Sequence, residues 1–221
     1  MHVPITRVGP YLLCVLLVTP MMAATQTGER SRTEGLRETD SFVKAGGRTS
    51  EAVANAKLQV QRTLDSYNAL VTKPSKNMKG DYKKLMKSMD TMNDRVADAR
   101  KKVEEMQMAG DTYFSGRAES TKSIKDPKLQ SQAQERMEES QKEFAGVLES
   151  LRAAGEALEP FRKELADQIT YLGSDLTPSA TASLKPNATK LNARGAEIFG
   201  RTDKAIVDAN TYFQSLRAAQ T

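Results

Sequence analysis

The sequence predicts an all-α fold, an elongated antiparallel helical bundle or coiled coil of four long helices. Apolar residues recur every seven positions in two interleaved series, which is the pattern of a helical seam. No segment shows the sustained alternation of apolar and polar residues that is typical of a strand. Short links at 72–80 and 173–177 hold Pro or Gly, so consecutive helices there must be antiparallel neighbours.

The first 24 residues predict a secretory signal peptide. Arg7 precedes an apolar stretch over 8–22, and two small alanines follow it. The stretch is shorter than the roughly 20 apolar residues of a membrane-spanning helix, and Pro10 and Pro20 interrupt it. We therefore expect export with cleavage after residue 24. The alternative is retention of this segment as an N-terminal anchor.

Beyond residue 24 the chain contains no histidine, cysteine or tryptophan. The single histidine is His2 and the single cysteine is Cys14. The usual general base, thiolate nucleophile and zinc ligands are therefore missing, and we expect a non-enzymatic protein without a cofactor. Loss of Arg7 with the signal lowers the formal charge from +5 to +4. That mild charge is dispersed and of mixed sign, so nucleic acid is not an expected partner.

Residues 25–40 are predicted to form a flexible tether, and 41–221 a single helical domain. The tether has one aliphatic side chain, Leu36, and cannot bury enough apolar surface to offset its ordering entropy. The first helix is predicted over 41–71. We expect it to be loosened at Gly46-Gly47 and its main part to be capped by Thr49 or Ser50. Its apolar positions are Val53, Ala56, Val60, Leu64, Tyr67 and Val71.

The second helix is predicted over 81–115 and carries two seven-residue series. The first series is Tyr82, Met89, Val96 and Val103. The second series is Leu85, Met92, Ala99, Met106 and Tyr113. Because the two series are offset by three residues, they match the a and d positions of a coiled-coil seam.

The third helix is predicted to start at Asp126-Pro127, an N-cap followed by a proline at the first helical position. We expect Gly173 to end it. Pro160 removes one backbone hydrogen bond and predicts a kink, because the heptad continues beyond it. One seam position is held by Met137, Phe144, Leu151, Leu158, Leu165 and Leu172, and the second by Val147, Ala154 and Phe161.

The fourth helix is predicted to start at Thr177-Pro178 by the same capping argument, with a second kink at Pro186. Its apolar stripe consists of Leu184, Leu191, Ile198, Phe199, Ile206, Phe213 and Leu216. Small residues interleave with the stripe, where a neighbouring helix can approach closely.

Residues 158–216 resemble a family of exported bacterial proteins known as domain of unknown function 2959. The similarity is carried by Pro160-Phe161, Asp167-Gln168-Ile169, Tyr171-Leu172, Leu176, Ala180, Ser183-Leu184, Ala209 and Phe213. The earlier helices are similar through their register and through Lys44-x-Gly46. The resemblance implies a long α-helical protein of the cell envelope and no known activity.

Met86, Met89 and Met92 are three thioethers at a spacing of three residues. Such soft ligands suit Cu(I) in an oxidising compartment, so the triplet is a candidate metal site. The alternative is core packing, because Met89 and Met92 fall on the two seam series of the second helix. We favour core packing and expect no copper uptake.

Six lysines surround the link between the first two helices: Lys73, Lys76, Lys79, Lys83, Lys84 and Lys87. We call this group the Lys-rich tip. It is a candidate contact for anionic lipid headgroups or wall polymers. The alternative, which we favour, is a solvated loop whose lysines complement the dipole of the first helix.

These observations lead to one functional hypothesis and one alternative. The first is an exported, non-enzymatic coiled-coil protein of the bacterial cell envelope. It would act as a scaffold through its helical surface, with a protein partner or by self-association. The alternative is an envelope ligand-binding protein that uses the Lys-rich tip or the methionine triplet.

Overall fold

The computed structural model describes the backbone of residues 23–218 and the side chains of residues 34–218. It contains five helices: α1 (Ala23–Thr72), α2 (Met78–Lys122), α3 (Pro127–Ser174), α4 (Pro178–Ser183) and α5 (Lys185–Ala218). No strand occurs within 23–218, so the predicted all-α class is confirmed. Residues 1–22 of the predicted signal peptide lie outside the described residues.

The four long helices form a ring in which each contacts two neighbours. Helix α1 packs against α2 and α5, and α3 packs against the same two helices. Since the links between consecutive helices are short, neighbours run antiparallel, as predicted. The 48 residues of α3 span about 72 Å at 1.5 Å per residue, which makes the bundle elongated.

The predicted seams face the inside of the bundle. All six residues of the α3 series from Met137 to Leu172 are buried, and so is the second α3 series. In α2 the series that begins at Leu85 is buried throughout, whereas Tyr82 and Val103 of the other series are half-buried. Heptad spacing therefore identified the inner face of both helices.

Polar side chains cap three helix starts. Asp126 accepts hydrogen bonds from the backbone N–H groups of Lys128 and Leu129 at 2.9 and 3.0 Å, which confirms the predicted start of α3. Thr177 Oγ1 accepts from Ala180 N at 3.2 Å at the start of α4. Helix α2 begins at Met78, three residues before the predicted start, because the Asn77 side chain accepts from Gly80 N at 3.0 Å.

The beginning of α1 differs from the predicted tether. The backbone of 25–40 is helical and continuous with the rest of α1. Thr39 is buried, and its hydroxyl donates to Gly35 O at 2.8 Å. Phe42, three residues later, lies in the core, so the helix extends towards its N-terminus from a packed segment. The low apolar content of residues 25–40 does not reveal this extension, because the helix is stabilised by the packed residues that follow.

The predicted loosening at Gly46-Gly47 and the predicted cap at Thr49 or Ser50 are wrong. Helix α1 passes through all four positions. Thr49 is fully buried, and its hydroxyl lies 2.9 Å from Ala45 O and 2.8 Å from Lys102 O on α2. Gly46 is buried because the Phe213 ring of α5 occupies the space of a side chain there. These small residues permit close packing inside a helix, and they do not end one.

The two prolines with a predicted kink, Pro160 and Pro186, have different effects on helix continuity. Helix α3 continues past Pro160 to Ser174, as the unbroken heptad predicts. The predicted fourth helix is instead divided at Leu184 into α4 and α5, with Pro186 as the second residue of α5. Proline has no N–H and its ring clashes with the carbonyl four residues earlier, so the chain starts a new helix there.

Candidate functional site

The Lys-rich tip lies at the end of the bundle where α1 passes into α2. All six lysines are exposed, and among them only Lys84 forms an ion pair, 3.5 Å from Asp81. The link itself is ordered by side chains: Ser75 hydrogen bonds to Asp81 and accepts from Asn77 N at 3.0 Å. The structure therefore gathers the predicted lysines on a defined, solvated end of the bundle.

The methionine triplet is divided between surface and core. Met92 is fully buried and Met89 is 9% exposed, and both belong to the core near the Lys-rich tip. Met86 is 39% exposed. Two of the three thioethers therefore pack against apolar neighbours, as the core-packing alternative predicts. Copper binding stays an untested hypothesis.

The buried residues form two clusters along the bundle. One fills the half near the Lys-rich tip and includes Tyr67, Leu85, Phe161 and Leu172. The other fills the opposite half and contains six aromatic side chains, which we call the aromatic cluster: Phe42, Tyr113, Phe114, Phe144, Tyr212 and Phe213. The core is thus divided near its middle.

A cavity of about 400 Å³ lies between the two clusters, and we call it the waist cavity. All four long helices line it. At its level each helix contributes a small buried residue: Ala56 of α1, Ala99 of α2, Ala154 of α3 and Thr202 of α5. Sequence reasoning missed this site. The available signal was an alanine at two seam positions, Ala99 and Ala154, where other seam residues are Met, Leu or Phe.

The exposed, polar part of the cavity wall is formed mainly by α2 and α3. Its residues are Arg100, Glu104, Gln107, Arg152 and Glu156, and Lys57 of α1 is the further charged residue of the lining. Helices α2 and α3 also form the loosest of the four neighbouring pairings in the ring. The cavity therefore opens to solvent between these two helices.

Polar pairs bridge α2 and α3 at seven-residue intervals along α2. Asn93 accepts from Arg162 at 2.7 Å, Arg100 is paired with Glu159, and Gln107 accepts from Arg152 at 2.5 Å. Burial acts to raise the pKa of Glu159, but Arg162 and Arg100 outweigh it, so this pKa lies below its usual value. The last two pairs flank the opening of the waist cavity.

A buried hydrogen bond connects diagonally opposed helices nearer the Lys-rich tip. The Tyr67 hydroxyl of α1 donates to Gln168 Oε1 of α3, and both side chains are buried. Burial, with a smaller effect of Glu164, raises the pKa of Tyr67. The hydroxyl therefore remains a neutral donor, which suits a structural bond rather than proton transfer.

The described residues contain neither a cluster of typical metal ligands nor a membrane-spanning helix. Among the described residues, no group of three or more His, Cys, Asp or Glu side chains is placed to hold a metal ion. Within the same part of the chain, no helix combines the length and apolar character needed to cross a bilayer.

Comparison with known families places the chain. The model of the family described as "Protein of unknown function (DUF2959)" matches residues 29–216. The chain belongs to this family. The match includes residues of all four long helices, which is more than the 158–216 stretch that carries the strongest resemblance. A search of curated proteins and a search of solved structures each found no match.

Proposed function

We propose that this DUF2959 protein is an exported, non-enzymatic scaffold or spacer of the bacterial cell envelope. The observation that carries the proposal is the elongated bundle, about 72 Å long, with its seams turned inward along the whole length. Such a body keeps two attachment points apart. The proposal of export rests on the pattern of residues 1–24, and the non-enzymatic role on the missing catalytic side chains.

The outer surface supports contacts of mixed polarity. Charges of both signs cover it, and its exposed large apolar side chains are distributed over all four long helices: Leu36, Leu58, Met86, Met108, Leu129, Tyr171 and Val207. Scattered apolar residues are ordinary on a soluble surface. The proposed contact along the side of the bundle, with a protein partner or with a second copy, therefore rests on the length of the bundle and not on an apolar patch.

In-cell crosslinking with a lysine-reactive reagent, followed by mass spectrometry, tests this proposal. We expect links from lysines along the sides of the bundle, such as Lys142 and Lys190, to an envelope protein or to a second copy. Crosslinks confined to one molecule, or links to cytosolic proteins, would contradict the scaffold.

A second candidate function is favoured by the Lys-rich tip, where five of the six exposed lysines have no ion-pair partner within the described residues. This tip would contact anionic lipid or wall polymer. Co-sedimentation with anionic vesicles or cell-wall material separates the two proposals, using a variant with Lys76, Lys79 and Lys83 changed to Glu. Tight binding that is lost in the variant and weakened by salt would favour the tip over the scaffold.

A further inference from the structure

The waist cavity has the properties of a ligand site. Its volume of about 400 Å³ falls within the roughly 300–1,000 Å³ of small-molecule pockets, which often lie between the helices of bundles. Its deep wall is apolar and includes Val60, Val96, Leu158 and Ile198. A close-packed core does not leave such a space, because an unfilled void costs stability.

The size and the apolar lining of the space favour an alkyl chain. At about 30 Å³ for a water-sized group, 400 Å³ holds about 13 such groups, which is close to a chain of ten to twelve carbons. The cavity runs from the opening between α2 and α3 to the far wall, where Val53 of α1 and Phe199 of α5 line it. The apolar lining of that path suits an alkyl chain.

Arg152 is the cation at the opening that is available to hold an anionic head, although the carboxylates of Glu104 and Glu156 line the same opening. Arg152 on α3 hydrogen bonds only to the neutral amide of Gln107, and no carboxylate lies within ion-pair distance of it among the described residues. Arg100, also at the opening, shares Glu159 with Arg162. A carboxylate at the opening would gain a charge-assisted, bidentate partner in Arg152, whose fork geometry matches it.

We propose that the waist cavity binds a medium-chain fatty carboxylate, with its alkyl chain between the two core clusters and its head group on Arg152. The alkyl chain would enter between α2 and α3, where polar side-chain pairs flank the opening. This inference goes beyond the scaffold proposal and does not depend on it, because the cavity lies inside the bundle and the proposed contact surface lies outside.

Calorimetric titration of the purified protein with dodecanoate tests the proposal. We expect one molecule bound per chain, and an affinity that falls about fourfold for each methylene removed from the ligand. Ala154→Phe fills the cavity and should abolish binding while the protein stays folded. Ala153→Phe is the matched control: Ala153 is the preceding residue of α3 and is exposed, so binding should be unchanged.

The head-group assignment has its own comparison. Arg152→Gln should weaken dodecanoate binding about tenfold and leave the binding of neutral dodecanol unchanged, with circular dichroism showing the same helix content. Ala99→Leu fills part of the cavity from the α2 side and should also abolish binding. This second variant keeps the test valid if Ala154→Phe does not fold. Absence of dodecanoate binding, equal binding to Ala154→Phe and Ala153→Phe, or insensitivity to Arg152→Gln would overturn the proposal.

Discussion

Replacement of Phe42 by alanine should lower the free energy of unfolding by about 3–5 kcal/mol, the usual cost of removing a large buried aromatic side chain. Phe42 is fully buried, and its ring stands at the centre of the aromatic cluster. Its centroid lies 4.8–6.1 Å from five other rings: Tyr113, Phe114, Phe144, Tyr212 and Phe213. Since those rings come from α2, α3 and α5, the change loosens one end of the whole bundle.

Urea unfolding followed by circular dichroism measures this effect. Leu36→Ala is the control on the same helix, because Leu36 is 55% exposed and its truncation should change stability by less than about 0.5 kcal/mol. If the two variants unfolded at the same urea concentration, the first part of α1 would not pack as described.

The neighbouring glycines Gly46 and Gly47 should respond to alanine in opposite directions. A Cβ at Gly46 would overlap the Phe213 ring, whereas a Cβ at Gly47 would meet nothing within 4 Å. Alanine favours an exposed helix position over glycine by about 0.5–1 kcal/mol, so Gly47→Ala should stabilise the protein by that amount. Overpacking should make Gly46→Ala destabilising by about 1–3 kcal/mol.

The pair is internally matched, because both residues lie in the interior of α1 and gain the same helix propensity. Thermal unfolding should therefore place the two variants on opposite sides of the unaltered protein. If both variants melted at a higher temperature than the unaltered protein, α5 would not approach α1 at Gly46. The contact between Gly46 and the Phe213 ring would then be contradicted.

Heptad spacing predicted the inner faces of the helices because burial of apolar side chains determines which face turns inward. The series from Leu85 to Tyr113 is buried because its residues recur on one side of α2. Asp126-Pro127 predicted a helix start for a local reason, since the aspartate accepts from the N–H groups two and three residues later. The heptad spacing and the cap are each determined by residues of a single helix, so both can be recognised in the sequence.

The features that the sequence did not predict depend on neighbouring helices. From the sequence alone, Gly46 predicts a loosened helix, but in the bundle it provides the space that the Phe213 ring occupies. The waist cavity arises because Ala56, Ala99, Ala154 and Thr202 meet at one level, and their registers relative to one another are set by the packing of four helices. The helical start of α1 likewise depends on contacts around Phe42.

Small-angle X-ray scattering of the purified protein in dilute solution tests the elongated bundle most directly. A body about 72 Å long and about 20 Å wide has a radius of gyration of about 22 Å, whereas a compact domain of 221 residues has about 17 Å. We predict the larger value, with a pair-distance distribution skewed toward long distances. A radius of gyration of about 17 Å with a symmetric distribution would contradict the spacer on which the proposed function rests.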